Sequence, residues 1–157
     1  ALAFGFLFHP KVEQIRLYDE VTRKLKGECE DLEQANLILK TKKDVKMGSL
    51  VNMDECDFIF ISAGMPRQNS SVTDEELLQH NITTVGHIIA ALGEAKDRCY
   101  VITNPADILG EKLGVKYLGK ILDNYRDVYN KRSGKWILDQ KGYTNWGIVA
   151  EAFKVIN

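Results

Sequence analysis

The residues Asp57-Phe58-Ile59-Phe60-Ile61-Ser62-Ala63-Gly64 decide how the rest of the chain is read. Phe58 to Ile61 form a continuous apolar run of four, and the stretch stops at Ala63-Gly64; a run without polar alternation fits a strand covered on both faces in a parallel sheet. Cys99-Tyr100-Val101-Ile102-Thr103-Asn104-Pro105 repeats the pattern and ends where Pro105 can no longer donate to a ladder. Between them, a polar loop over 68–73 leads to Asp74, read as an N-cap, with Glu75 and Glu76 in the first turn. Leu77, Leu78, Ile82, Val85, Ile88, Ile89 and Leu92 then share one helical face.

Upstream, residues 12–19 alternate Ile15 and Leu17 and end in acids, which predicts a strand. Residues 21–35 place Leu25, Cys29 and Leu32 on one side of a helix. The opening Ala1-Leu2-Ala3-Phe4-Gly5-Phe6-Leu7-Phe8 is far short of the roughly 20 apolar residues of a membrane span, so it reads as part of a core element. Residues 37–51 hold no more than one weak strand. Helical stretches are expected over 117–140 and 145–157, separated by Lys141-Gly142-Tyr143-Thr144. Strands alternating with helices predict right-handed crossovers and an α/β, doubly wound parallel sheet, whose ligands bind at the carboxyl ends of the strands.

The composition supports a folded chain with a small-molecule site. Among 157 residues, 45% are hydrophobic and 27% charged, and the formal charge is −1, which removes the basic footprint of nucleic-acid or anionic-membrane binding. Cys29, Cys56 and Cys99 are widely spaced, with no pairing that suggests zinc, so no metal is expected and a reducing compartment fits.

At the strand ends, Asp19 can accept ribose hydroxyls of a dinucleotide or cap the helix that follows; the residues leave both open. No Gly-x-Gly-x-x-Gly turn precedes it. Arg67 can clamp a carboxylate with two parallel hydrogen bonds, or stand as a solvated loop arginine. Asn104 can donate to a carbonyl or serve as a turn residue before Pro105. His9, His80 and His87 read as satisfied surface or interface histidines rather than bases. Trp136, Trp146, Tyr125, Tyr129, Tyr143 and Phe153 read as core or subunit-interface residues.

Together, Ile15-Arg16-Leu17-Tyr18-Asp19, the run Asp57 to Arg67 (DFIFISAGMPR), Leu77-Leu78 with Asn81, Val101 to Leu109 (VITNPADIL) and Lys141 to Gly147 (KGYTNWG) resemble the lactate and malate dehydrogenase family. The resemblance implies a Rossmann-type NAD-binding domain over 1–109, lacking its first strand and Gly-rich loop. It also implies a partial, mainly helical substrate domain over 110–157. In its terms, Asp19 meets the adenine ribose, Ala63 and Gly64 run along the cofactor, and Asn81, Ile102 and Asn104 lie near the nicotinamide. Arg67, Asn104 and Thr144 meet the substrate.

Arginine three places after Ala-Gly is the family's mark of malate enzymes, so Arg67 favours malate and oxaloacetate. Thr144 in Gly-Tyr-Thr points instead to L-lactate dehydrogenase, and the charge pair is weighted higher. The family's Gly-rich fingerprint, its catalytic Asp with a substrate Arg, and its catalytic His have no counterpart in residues 1–157. The expectation is therefore an incompletely represented 2-hydroxy acid dehydrogenase, cytoplasmic and homodimeric or homotetrameric; a non-catalytic binding remnant is the alternative.

Overall fold

The computed structural model describes residues 1–143 and 146–157. Its strands are β1 (Gln14–Leu17), β2 (Asp44–Met47), β3 (Ile59–Ile61), β4 (Cys99–Val101) and β5 (Lys116–Tyr117). Its helices are α1 (Leu2–Phe6), α2 (Thr22–Leu39), α3 (Asp74–Leu92), α4 (Ala106–Leu113), α5 (Lys120–Val128), α6 (Gly134–Lys141) and α7 (Trp146–Ile156). All pairings are parallel: β1 with β2 in one sheet, and β3, β4 and β5 in that order in a second. The single sheet expected from the sequence is thus two parallel sheets, with no further strand, among the described residues, paired to the remaining edges of β1 and β3.

Burial on both faces explains the non-alternating strands. Ile59 and Ile61 of β3 and Cys99 and Val101 of β4 join Val85, Ile89 and Leu92 of α3 and Leu109 of α4 in one core. Phe60 and Tyr100, which point the other way, pack with Phe6 and Leu7, Ile15, Cys29 and Leu32 of α2, Val45, and Ala152 of α7. Both sheets therefore share a layer of α1, α2 and α7, and Phe6 stacks against Phe153 and tilts onto Phe60. Helices α1 and α7 cross closely at Gly5, where a Cβ would come within 2.6 Å of Val149.

Several expectations need correction. The strands are shorter than the apolar runs, because pairing stops where the chain turns away from its neighbour. Helix α2 continues four residues beyond 35, ending in exposed Leu37, Ile38 and Leu39 that carry no periodic signal. Residues 37–51 otherwise supply β2 and the start of a 3₁₀ turn, Leu50–Glu55. The stretch 117–140 is not one helix: Tyr117 belongs to β5, and α5 and α6 are separated where Asn130 adopts a left-handed φ of 50° and Ser133 caps α6. Helix α4 runs across Leu109 and Gly110, and β5 adds to the second sheet.

Of the six late aromatics, only Phe153 is packed into the core; Tyr125, Tyr129, Trp136, Tyr143 and Trp146 are exposed. His9, far from being at the surface, is fully buried, within 3.3 Å of the Phe153 carbonyl at Nε2 and accepting from the Lys11 N–H at Nδ1.

All three cysteines are free thiols. Burial pushes Cys99 up to about 11 and raises Cys29 and Cys56 as well, so the reactive thiolate is scarce at neutral pH. Iodoacetamide at pH 7.5 should leave Cys99 unmodified until the protein is denatured, and should label half-exposed Cys56 first. Peptide mass mapping of Cys99 at the rate of a free thiol would contradict this.

Candidate functional site

The site forms where β3 and β4 end side by side. Paired in register from Ile59 with Cys99 to Ile61 with Val101, they deliver the loops starting at Ser62 and Ile102 to the same edge. The Ile102 N–H continues the ladder to the Ile61 carbonyl at 2.8 Å. Thr103 then turns its hydroxyl back, donating to the Ala63 carbonyl at 2.6 Å. Ala63, Gly64 and Asn104 are exposed, whereas Thr103 is buried. Gly64 holds φ at +130°, and a Cβ there would come within 2.6 Å of Asn81 Oδ1 and 2.8 Å of Thr103, so only glycine fits this turn.

Asn81, reaching in from α3, joins the two loops. Its Oδ1 accepts from the Met65 N–H at 2.7 Å, and its Nδ2 donates to the carbonyls of Met65 at 3.0 Å and Asn104 at 2.8 Å.

Arg67 lies further along the first loop with its side chain only 8% exposed. Its guanidinium donates to the Val72 carbonyl and pairs with the Asp74 carboxylate, closing the loop on itself. Asp74 was expected to be the N-cap; the cap is Thr73. Its hydroxyl accepts from the Glu76 N–H while the Glu76 carboxylate accepts from the Thr73 N–H, a reciprocal capping box that leaves Asp74 free to face Arg67. The Thr73 N–H and hydroxyl hold the Glu76 carboxyl below its usual range. The loop is also tethered to α6, because the Ser70 N–H donates to Asp139 at 2.9 Å.

Asp19 stands apart, at the end of β1 in the other sheet. One carboxylate oxygen accepts from the Val21 N–H at 2.9 Å and the other pairs with Lys24 at 3.0 Å. The Val21 N–H first, and Lys24 second, hold this carboxyl below its usual range, so it is an anion at neutral pH. An open groove of ≈ 430 Å³ begins beside it, lined by Val21, Arg23, Lys24, Gly27, Glu28 and Asp31.

The structure thus brings together Ala63, Gly64, Asn81, Ile102 and Asn104, places Arg67 on the same loop but facing Asp74, and leaves Asp19 on the neighbouring sheet. Thr144 lies outside the described residues. Sequence reasoning set Thr103 at the strand end beside the site but missed its tie to the Ala63 carbonyl, and it missed the pairing of Asp74 with Arg67. The signal for the first was a hydroxyl at the end of an apolar strand, and for the second an acid seven residues after the arginine. Among the described residues no group of three His, Cys, Asp or Glu is arranged to hold a metal, and no helix is long and apolar enough to cross a membrane.

The family model for the lactate/malate dehydrogenase NAD-binding domain matches residues 1–117. The L-lactate dehydrogenase B-B chain of Danio rerio is 32% identical over 111 residues, covering 69% of this chain and 33% of that protein. The C chain of Mus musculus is also 32% identical over 111 residues. The chain spans about a third of the length of these curated relatives. Among solved structures, a lactate dehydrogenase from a Medee basin deep-sea metagenome library superposes with a TM-score of 0.73 at 16% identity, covering 99% of this chain and 72% of that one. The malate dehydrogenase of Aeropyrum pernix gives 0.65 at 22%, covering 91% and 48%. These two show the fold.

The residues present fit the family's cofactor, NAD. Both Asp19 oxygens keep lone pairs beyond those used by Val21 and Lys24, and an anionic carboxylate at this strand end can accept ribose hydroxyls. The exposed Ala63-Gly64 backbone leaves a close approach open along the second sheet. The match over three quarters of its length establishes that this chain belongs to the lactate/malate dehydrogenase family and carries that family's NAD-binding domain.

Proposed function

We propose that the protein is an NAD-dependent 2-hydroxy acid dehydrogenase acting on malate and oxaloacetate. The observation that carries this is Arg67, a nearly buried guanidinium three residues after Ala63-Gly64, held by a carboxylate and a carbonyl. A guanidinium so placed suits the second carboxylate of a four-carbon dicarboxylic acid, which would take over the bonds now made by Asp74. NAD supplies the hydride acceptor. The part of this chain is to hold the ribose at Asp19, to support the cofactor along Ala63, Gly64 and Ile102, and to donate to the substrate from Asn104. The same reading places the protein in the cytoplasm, on its three free thiols, as a homodimer or homotetramer.

L-lactate is the second reading, favoured by the lactate dehydrogenases among the relatives and by Thr144. NADH oxidation by protein from the complete reading frame, with oxaloacetate and with pyruvate, separates the two. Arg67→Gln should lower kcat/KM for oxaloacetate by about 100-fold, the size of a lost charge-assisted pair, and change that for pyruvate little. A parent that prefers pyruvate overturns the malate assignment. A non-catalytic remnant would turn over neither, and an intact mass equal to that of these 157 residues would support it.

A further inference from the structure

Three exposed hydroxyls between β3 and α3, those of Ser70, Ser71 and Thr73, run directly into the carboxylates of Asp74, Glu75 and Glu76. The three are not equivalent. Thr73 is committed to the capping box, accepting from the Glu76 N–H and donating to the Glu76 carboxylate. Ser70 is tied through its N–H to Asp139 on α6. Ser71 lies in the turn that closes where the Val72 N–H meets the Asn69 carbonyl, and its hydroxyl donates to the Asn69 side chain within the same turn. Asp74 stands three residues ahead of it. An exposed hydroxyl on irregular backbone, followed by carboxylates, is what a protein kinase with a basic substrate groove selects by charge.

The same turn carries a cation. Arg67 donates to the carbonyl of Val72, the residue next to Ser71, and pairs with Asp74. We propose that Ser71 is a phosphorylation site whose phosphate captures Arg67 from Asp74 and so denies the guanidinium to a dicarboxylic substrate. The modification and the capture stand by themselves; the effect on turnover rests on the proposed reaction. In the modifying step Ser71 Oγ attacks the γ-phosphorus of ATP, the bond from that phosphorus to the bridging oxygen breaks, ADP leaves, and the hydroxyl proton passes to the kinase's base. The product carries about two negative charges and three acceptor oxygens against the single charge of Asp74, and a guanidinium takes phosphate as readily as carboxylate. Asp74, Glu75 and Glu76 repel the new dianion from the first turn of α3, which directs it towards Arg67.

For the test, protein from the complete reading frame is incubated with ATP and an acid-directed serine/threonine kinase, and peptide mass mapping locates the phosphate. Incorporation is expected at Ser71 and is lost in Ser71→Ala, which should keep parental kcat/KM. No incorporation, or phosphate only at other residues, overturns the site. The phosphorus resonance of the phosphoprotein then reads the capture. Its titration midpoint should lie below about pH 6 while Arg67 holds the dianion, and return to about 6 in Arg67→Gln. Equal midpoints overturn the capture.

Phosphorylation should lower kcat/KM for oxaloacetate by about tenfold or more, change that for pyruvate little, and be reversed by phosphatase, a comparison that needs no substitution. In Arg67→Gln it should change kcat/KM for oxaloacetate less than about twofold. Unchanged turnover of oxaloacetate by the phosphorylated parent overturns the switch. A parent that does not reduce oxaloacetate at all defeats the proposed reaction and not the site, which the mass map and the phosphorus titration then decide.

Discussion

Leu109→Ala will lower the free energy of unfolding by about 2–5 kcal/mol, the range for emptying a fully buried leucine site. Leu109 is 0% exposed and sits in α4 among Ile61, Val85, Val101 and Ala106, where β3, β4 and α3 meet. Neither strand can follow a shrinking side chain without breaking its ladder, so the cavity stays open and its cost adds to the lost transfer energy. Urea denaturation should show a lower midpoint at an unchanged slope. Leu37→Ala is the control: Leu37 is 74% exposed at the end of α2, and its loss should matter by less than about 0.5 kcal/mol. A loss below about 1 kcal/mol at Leu109 would mean that the core around the second sheet is not packed as described.

Glu151→Ala will cost about 3 kcal/mol, the scale of charge-assisted hydrogen bonds to a buried carboxylate. Glu151 is 3% exposed in α7, with apolar residues on either side, yet it is not stranded. One oxygen accepts from the N–H groups of Gly119 at 2.9 Å and Ile121 at 3.3 Å, and the other from Leu122 at 3.1 Å. These are the unpaired donors at the start of α5, where the helix dipole also favours a negative charge. Helix α5 buries no side chain of its own; it meets α7 through this carboxylate, through Lys154 donating to the Tyr125 hydroxyl at 2.8 Å, and where Leu122 lies against Gly147. Glu151→Gln keeps one acceptor but turns an NH₂ towards a donor, and should lose about 2 kcal/mol. Thermal melts give the total loss, and amide exchange at Gly119, Ile121 and Leu122 locates it; protection retained in Glu151→Ala would refute this account.

Both residues show where sequence reading stops. The buried strands were legible because a strand covered on both faces is apolar without alternation, and Ile59, Phe60 and Ile61 say so within three residues. Helix α3 was legible because its core face repeats at 3.6 residues. Its start was read one residue late, since Thr73 and Asp74 are both good caps. The choice went to the residue whose hydroxyl reaches the Glu76 N–H, leaving Asp74 for Arg67. The ends of α2 and the break between α5 and α6 were not legible, because exposed residues carry no burial pattern and a left-handed Asn130 looks in sequence like any other asparagine.

The candidate site divides in the same way. Asp19, Ala63, Gly64, Arg67 and Asn104 could be nominated from sequence because each stands where a strand stops, which is where doubly wound sheets bind ligands. Asn81 could be nominated only through the family resemblance, and its partners lie 16 and 23 residues away. Glu151 drew no notice, with partners 29 to 32 residues away.

By itself, then, the sequence determined the fold class, the parallel character of the buried strands and the family, and it nominated a strand edge for the ligand. These follow from local periodicity and from short motifs whose backbone geometry is set nearby in the chain. Only the tertiary structure decided which polar side chain satisfies which partner: Asn81 between Met65 and Asn104, Arg67 facing Asp74, Glu151 under α5. Hydrogen bonds of that kind depend on where distant segments come to rest, and a buried amide or carboxylate takes whatever partner packing places within about 3 Å.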